Sequence, residues 1–134
     1  LAAGAAGVHV GDEDLPVAAA REVLGFGAII GYSTHSIDDV AGAARLSADY
    51  IGFGPVFESP TKAGVRTPRG VDLLAAACDV SALPVVAIGG VTLATAPSCW
   101  RAGAPSVAVI SEIERASDRA ALVRAYLEST PHSP

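Results

Sequence analysis

Short apolar runs alternate along the chain with longer segments of alanine and polar residues, and each run ends in a cluster of hydroxyl, acidic or glycine residues. Val8-His9-Val10, Ala28 to Tyr32, Tyr50 to Phe57, Leu83 to Ile88 and Ser106 to Ile110 are rich in β-branched, aromatic and other apolar residues, which predicts five strands. Leu83-Pro84-Val85-Val86-Ala87-Ile88 is apolar on both faces, as strands inside a parallel sheet are. Helices are predicted from Pro16 through Leu24, from Ser36 to about Leu46, and over about Val71–Cys78, Thr92–Ala102 and Asp118–Leu127. Pro16 suits a first helical turn, Ser36 suits an N-cap, and Asp38 and Asp39 fall where the helix dipole favours negative charge. Gly103 is suited to end its helix. Leu1 to Gly7 reads as the end of a helix and its glycine turn, so the sequence is expected to start mid-domain, and Ser129 to Pro134 is expected to be a frayed tail. Alternating strands and helices predict a parallel sheet with right-handed crossovers. The polar signal at every strand's carboxyl end predicts one shared active face.

Composition narrows this picture. The 134 residues predict a single α/β domain over 1–134, shorter than the roughly 200 residues or more of a complete eight-stranded barrel. A formal net charge of -5 without a basic stripe argues against nucleic acid as a partner. Cys78 and Cys99 lack metal-ligand spacing and read as buried reduced thiols. No apolar run approaches the roughly 18 residues of a membrane span and the start lacks a charged leader, so a cytoplasmic protein without a membrane partner is expected.

The strand ends carry the candidate chemistry. Gly11-Asp12-Glu13-Asp14 offers hard oxygen ligands suited to Mg²⁺, and equally reads as a solvated acidic turn capping the next helix. Ser33, Thr34 and His35 supply hydroxyls and an imidazole, with His35 either a general acid or base or a structural residue. His9, inside a strand, reads as a packed core residue. After the third strand, Pro60 and Gly64 shape a loop bearing Ser59, Thr61 and Lys62, whose ammonium suits a phosphorylated ligand. The Gly89-Gly90 and Ile110-Ser111 turns fit a phosphate site built from backbone N–H groups, with each following helix adding the positive end of its dipole.

Taken together, His9-Val10-Gly11-Asp12-Glu13-Asp14-Leu15-Pro16, Gly31-Tyr32-Ser33-Thr34-His35, Gly52 to Phe57 through Thr61-Lys62, Ala87-Ile88-Gly89-Gly90 and Val107 to Ser111 resemble the thiamine phosphate synthase family, in the family's order and over nearly the whole chain. The resemblance implies a TIM (β/α)8 barrel, of which this chain would cover about strands 4 to 8. It also implies transfer of hydroxymethylpyrimidine from its diphosphate onto thiazole phosphate, with release of pyrophosphate and Mg²⁺ as cofactor. Carried over by motif, Asp14 is a Mg²⁺ ligand, and Ser33 and Lys62 contact the pyrimidine diphosphate and are the catalytic candidates. Ser59, Pro60 and Thr61, with Gly90, Ile110 and Ser111, hold the thiazole phosphate. The partners implied are these small molecules, with room for a homo-oligomer.

The chain departs from the family at several points. Position 12 is Asp where the family commonly has Gln, and Ser59 replaces the usual Thr. Glu112 follows Ser111 where a small residue is usual, and its carboxylate would repel a phosphate unless it turns away. Aligned to the family, strands one to three fall outside the chain, and with them the Gln-x-Arg/Lys and Asn-Asp elements of the substrate site. A fragment of a longer product is therefore expected. Two alternatives stand beside the synthase: the thiazole tautomerase of the same superfamily, with His35 as its acid/base, and a noncatalytic phosphate-binding partial barrel.

Overall fold

The computed structural model describes residues 3–58 and 67–131. The apolar runs form five parallel strands, β1 (Gly7–Val10), β2 (Ile29–Thr34), β3 (Tyr50–Phe53), β4 (Val85–Ala87) and β5 (Ser106–Val107), which pair in strict chain order. Helices connect them: α1 (Val17–Leu24), α2 (Ile37–Ala43) continued by a 3-10 turn (Ala44–Leu46), α3 (Gly70–Val80), α4 (Ala96–Arg101), α5 (Ser111–Arg115) and α6 (Arg119–Ser129). A doubly wound sheet reverses its strand order at a switch point. Here each strand neighbours the next in sequence, the connectivity of a barrel wall.

Register divides the side chains between two faces. Thr34, Phe53, Ala87 and Val107 stand side by side, as do Val10, Tyr32, Ile51 and Val85. Ile51, Phe53, Val85 and Ala87 from this face are buried against Val40, Ala43, Leu74, Ala77, Ala96 and Cys99 from the helices. The alanines let the helices lie close, and burial of Ile51, Phe53 and Leu74 is worth about 2 kcal/mol each. Ile30 joins Val10, Val17, Ala20 and Ala48 in a second cluster under α1. The opposite face carries His9, Gly31, Ser33, Tyr50 and Gly52.

The expected elements mostly form, with different ends. Ser36 caps α2 in a reciprocal arrangement: its Oγ accepts from Asp39 N–H at 3.1 Å, and the Asp39 carboxylate accepts from Ser36 N–H at 2.9 Å. The strand expected from Tyr50 to Phe57 stops at Phe53, where a cis Gly54–Pro55 peptide turns the chain. Its continuation stays bound to the end of β4 all the same, Val56 N–H donating to Ile88 O at 2.9 Å and Phe57 N–H to Gly89 O at 3.0 Å. The helix expected from Thr92 begins only at Ala96, because Thr92 and Thr95 spend their hydroxyls on a local turn. The strand expected over Ser106 to Ile110 is a ladder only over Ser106–Val107. Residues 3–6 are irregular, with a turn at Ala3 and a bend at Ala6. Cys78, half-buried, and Cys99, buried, are free thiols. Among the described residues no helix is long and apolar enough to cross a membrane.

Candidate active site at the carboxyl end of the sheet

The acidic loop follows β1. Asp14 closes it as a turn: its Oδ2 accepts from Gly11 N–H at 2.8 Å and its own N–H donates to Gly11 O at 3.2 Å. The carboxylate is thereby oriented by the loop. Asp12 turns toward β2, its Oδ1 accepting from Tyr32 O–H at 3.1 Å and its Oδ2 lying 3.9 Å from His35 Nε2. Burial, reinforced by this bond, pushes the Tyr32 phenol above its ordinary pKa. Among the described residues no group of three or more His, Cys, Asp or Glu is placed to hold a metal. An all-protein cage is therefore not formed among them. The donor set suits a hard cation that takes one carboxylate here and fills its shell with ligand phosphate and water, which is how Mg²⁺ binds.

On β2, Ser33 Oγ lies 2.9 Å from His9 Nε2. His9 is exposed on the open face of the sheet, contrary to the expectation of a packed core residue, and it reaches across two strands because positions 31 and 52 carry no side chain. His35 Nδ1 lies 2.5 Å from Gly54 O and, since a carbonyl can only accept, carries the hydrogen. That bond ties the end of β2 to the Gly54–Pro55 turn.

The last two strand ends meet in a cleft of about 580 Å³ lined by Glu58, Gly90, Thr92, Ser111, Arg115 and Asp118, among others. The structure thus brings Gly90 and Ser111 together as expected. Ile110 is the N-cap residue of α5, 63 % exposed beside Ser111. Asp14 and Ser33 belong to the rim of β1 and β2 and do not line this cleft. Ser59, Pro60, Thr61 and Lys62 lie outside the described residues. At Gly90, contrary to expectation, no helix dipole is available, because α4 starts six positions later at Ala96 and is itself short. At Ser111 the first internal bond of α5 runs from Glu114 N–H to Ile110 O, so the amides of Ser111 to Ile113 precede the hydrogen-bond ladder.

Arg115 was not anticipated. It sits one helical turn beyond Ser111, and its Nε donates to Ser111 O at 2.9 Å, adding a cation to the cleft. The i, i+4 spacing is its signal, legible only once α5 is known to be a helix.

Glu112 lines the same cleft, with its carboxylate engaged by protein donors. Its Oε2 accepts from Leu93 N–H at 2.9 Å and from the Tyr126 hydroxyl, joining α5 to the β4–α4 connection and to α6. Burial first, and the Glu112 bond second, push the Tyr126 phenol far above its ordinary pKa. Glu112→Ala is expected to cost about 2 kcal/mol in urea unfolding, because a buried phenol and a half-buried amide lose their acceptor. Glu112→Gln keeps an acceptor and is expected to cost roughly half as much. Equal losses in the two variants would refute the strut role.

The fold defines the class: parallel strands in chain order alternating with helices, the architecture of a (β/α) barrel protein. Residues 1–113 match the family model described as thiamine monophosphate synthase, and the chain belongs to that family. It is 45% identical to the thiamine-phosphate synthase of Chlorobium luteolum over 87% of this chain and 55% of that protein. The solved thiamine phosphate pyrophosphorylase of Pyrococcus furiosus superposes with a TM-score of 0.83 at 31% identity, over 93% of this chain and 59% of that one. A 3-hexulose-6-phosphate synthase shares the fold, with a TM-score of 0.71 at 21% identity. The chain therefore spans a little over half the length of these synthase relatives.

Proposed function

We propose that this chain forms the part of a thiamine-phosphate synthase that carries barrel strands 4 to 8, as a single α/β domain of a cytoplasmic enzyme. The reaction is displacement of diphosphate from hydroxymethylpyrimidine diphosphate by the nitrogen of thiazole phosphate. The observation that carries the reading is the cleft that Glu58, Gly90 and Ser111 line together, in a chain of this family.

The residues divide the work by charge. The Ser111 amide and hydroxyl, with Arg115, suit the phosphate of the thiazole, and the family resemblance assigns Ser59, Pro60 and Thr61 to the same phosphate. Gly90 lets the two strand-end loops close on each other. Ser33 donates a hydrogen bond to the pyrimidine diphosphate, and Lys62 neutralises charge on the leaving diphosphate as the pyrimidine carbocation develops. Such chemistry needs positioning and electrostatic stabilisation more than a protein nucleophile. Asp14 would hold Mg²⁺, which when bound supplies further charge for the departing diphosphate.

The protein produced from its own reading frame is expected to make thiamine phosphate and pyrophosphate when Mg²⁺ and both substrates are supplied. Lys62→Ala is expected to lower kcat/KM roughly hundredfold. Unchanged turnover in that variant would remove Lys62 from the mechanism. Thiazole isomerisation abolished by His35→Ala without a metal requirement would replace the synthase by the tautomerase. Binding of thiazole phosphate with no turnover at all would leave a noncatalytic phosphate-binding barrel.

A further inference from the structure

On the open face of the sheet, the register of β1, β2 and β3 sets His9, Gly31 and Tyr50 in one row. Ser33 stands one pleat further along β2. The imidazole bridges the two neighbours: Nδ1 is 3.0 Å from the Tyr50 hydroxyl and Nε2 is 2.9 Å from Ser33 Oγ. The bridge depends on a glycine beneath it, since a Cβ at position 31 would stand 2.2 Å from Tyr50 Cζ and 2.4 Å from His9 Nδ1.

Because both ring nitrogens are engaged, the hydrogens along the chain are ordered together. A neutral imidazole has one N–H, so either Tyr50 donates to Nδ1 and Nε2 donates to Ser33, or Ser33 donates to Nε2 and Nδ1 donates to Tyr50. A phenol is a good donor and a poor acceptor, because its oxygen lone pair is delocalised into the ring. The first order is favoured, and in it Ser33 receives a hydrogen bond while its own proton points outward. In the second order Ser33 would offer only lone pairs, which repel an anionic oxygen.

We propose that Tyr50 and His9 are positioning residues that hold Ser33 as a hydrogen-bond donor toward an anionic oxygen of the substrate. This assignment rests on the synthase reading for the identity of that substrate, the pyrimidine diphosphate. Facing His9 are Tyr50 from β3, Ser33 from β2 and Asp14 from its own loop. Burial holds the imidazole below its ordinary pKa, while the charge of Asp14 acts in the opposite direction, so the ring is neutral at pH 7 and above.

Protonation gives the device a signature. An imidazolium donates from both nitrogens, so in the wild type Ser33 remains an outward donor on either side of the His9 titration. In Tyr50→Phe the neutral ring is free to place its hydrogen on Nδ1 and to draw in the Ser33 proton, whereas the imidazolium restores donation from Nε2. The Tyr50→Phe defect should therefore be large above the His9 pKa and small below it.

The test combines ¹⁵N NMR of the full protein with kinetics. The wild type is expected to show the Nε2–H tautomer of His9 at pH 8, and Tyr50→Phe a mixture. Kinetically, Tyr50→Phe is expected to lower kcat/KM for the pyrimidine diphosphate roughly tenfold at pH 8 and less than about twofold below the His9 pKa that the same NMR titration locates. In a Ser33→Ala background the same change should have no further effect. An Nδ1–H tautomer in the wild type overturns the proposal, as does a Tyr50→Phe defect that is independent of pH or persists without Ser33. A wild type that makes no thiamine phosphate refutes the synthase reading alone, and the tautomer then decides whether Ser33 is an outward donor.

Discussion

Gly90→Ala is expected to lose roughly 3 kcal/mol of stability and to abolish ligand binding in the cleft beside it. Two separate effects add. Gly90 has φ of +66°, where an alanine costs about 1 kcal/mol through crowding of Cβ against the backbone. In addition, that Cβ would stand 2.2 Å from Glu58 O and 2.7 Å from Phe57 O. Both are backbone atoms, so no side-chain rotation can relieve the contact, and the segment after the Gly54–Pro55 turn must move off the end of β4. The bonds from Val56 N–H to Ile88 O and from Phe57 N–H to Gly89 O hold that segment down. Losing them is worth about 1 kcal/mol each. Gly4→Ala isolates the first effect, since Gly4 has φ of +64° with nothing within 4 Å of an added Cβ. It should cost about 1 kcal/mol. Urea midpoints for the two variants decide the matter: equal losses would mean that backbone conformation, and not the close approach of the β3 loop, demands glycine at position 90. The consequence for function follows from where Glu58 leads, directly into Ser59 to Lys62.

The alternation of strands and helices was legible in the sequence because local rules and tertiary packing agree there. The α2 cap is an example: Ser36 and Asp39 form their reciprocal bonds within four residues, and nothing distant is needed to predict them. The family resemblance was legible too, since its motifs sit in contiguous strand-end stretches. What the sequence hid depends on contacts between distant residues. The run from Tyr50 to Phe57 keeps an apolar pattern through Val56 and Phe57, but these residues bond to the end of β4 after a turn and so leave the ladder. Ser111 to Arg115 lacks an apolar stripe, and its helix went unread along with Arg115. The partners of Glu112 are Leu93 and Tyr126, neither local, so the sequence shows its charge beside the cleft but not the strut it makes. His9 sits between two apolar residues and reads as core. Only the register shows that it faces the open side, over Gly31 and between Tyr50 and Ser33.

Arg21→Met is expected to be a severe change in stability at neutral pH, about 3 kcal/mol, although the residue lies far from the strand-end rim and has no part in binding. Arg21 is only 8% exposed. Its Nη1 donates to Gly25 O at 3.1 Å and Ala28 O at 2.6 Å, and its Nη2 donates to Ser47 O at 2.9 Å and Asp49 Oδ2 at 2.7 Å. One guanidinium thus fastens the end of α1, the start of β2 and the approach to β3. Methionine restores the stem and takes one donor each from three carbonyls and from the Asp49 carboxylate, which keeps the Ile30 amide. Arg21→Lys should fall between, because an ammonium cannot span four acceptors with a planar fork. Acid supplies an independent check. The Ile30 amide first, and Arg21 second, hold the Asp49 carboxyl below its usual range. A carboxyl so depressed stabilises the fold above its unfolded pKa, near 4, and that stabilisation drains as the pH falls through the folded value. Arg21→Met removes one of the two causes, which brings the folded pKa closer to the unfolded one and makes its acid limb shallower. The gap between wild type and Arg21→Met in urea unfolding should therefore narrow between about pH 7 and about pH 3. A gap of constant size across that range would mean that the guanidinium acts through the three carbonyls alone and that Asp49 contributes nothing to its hold.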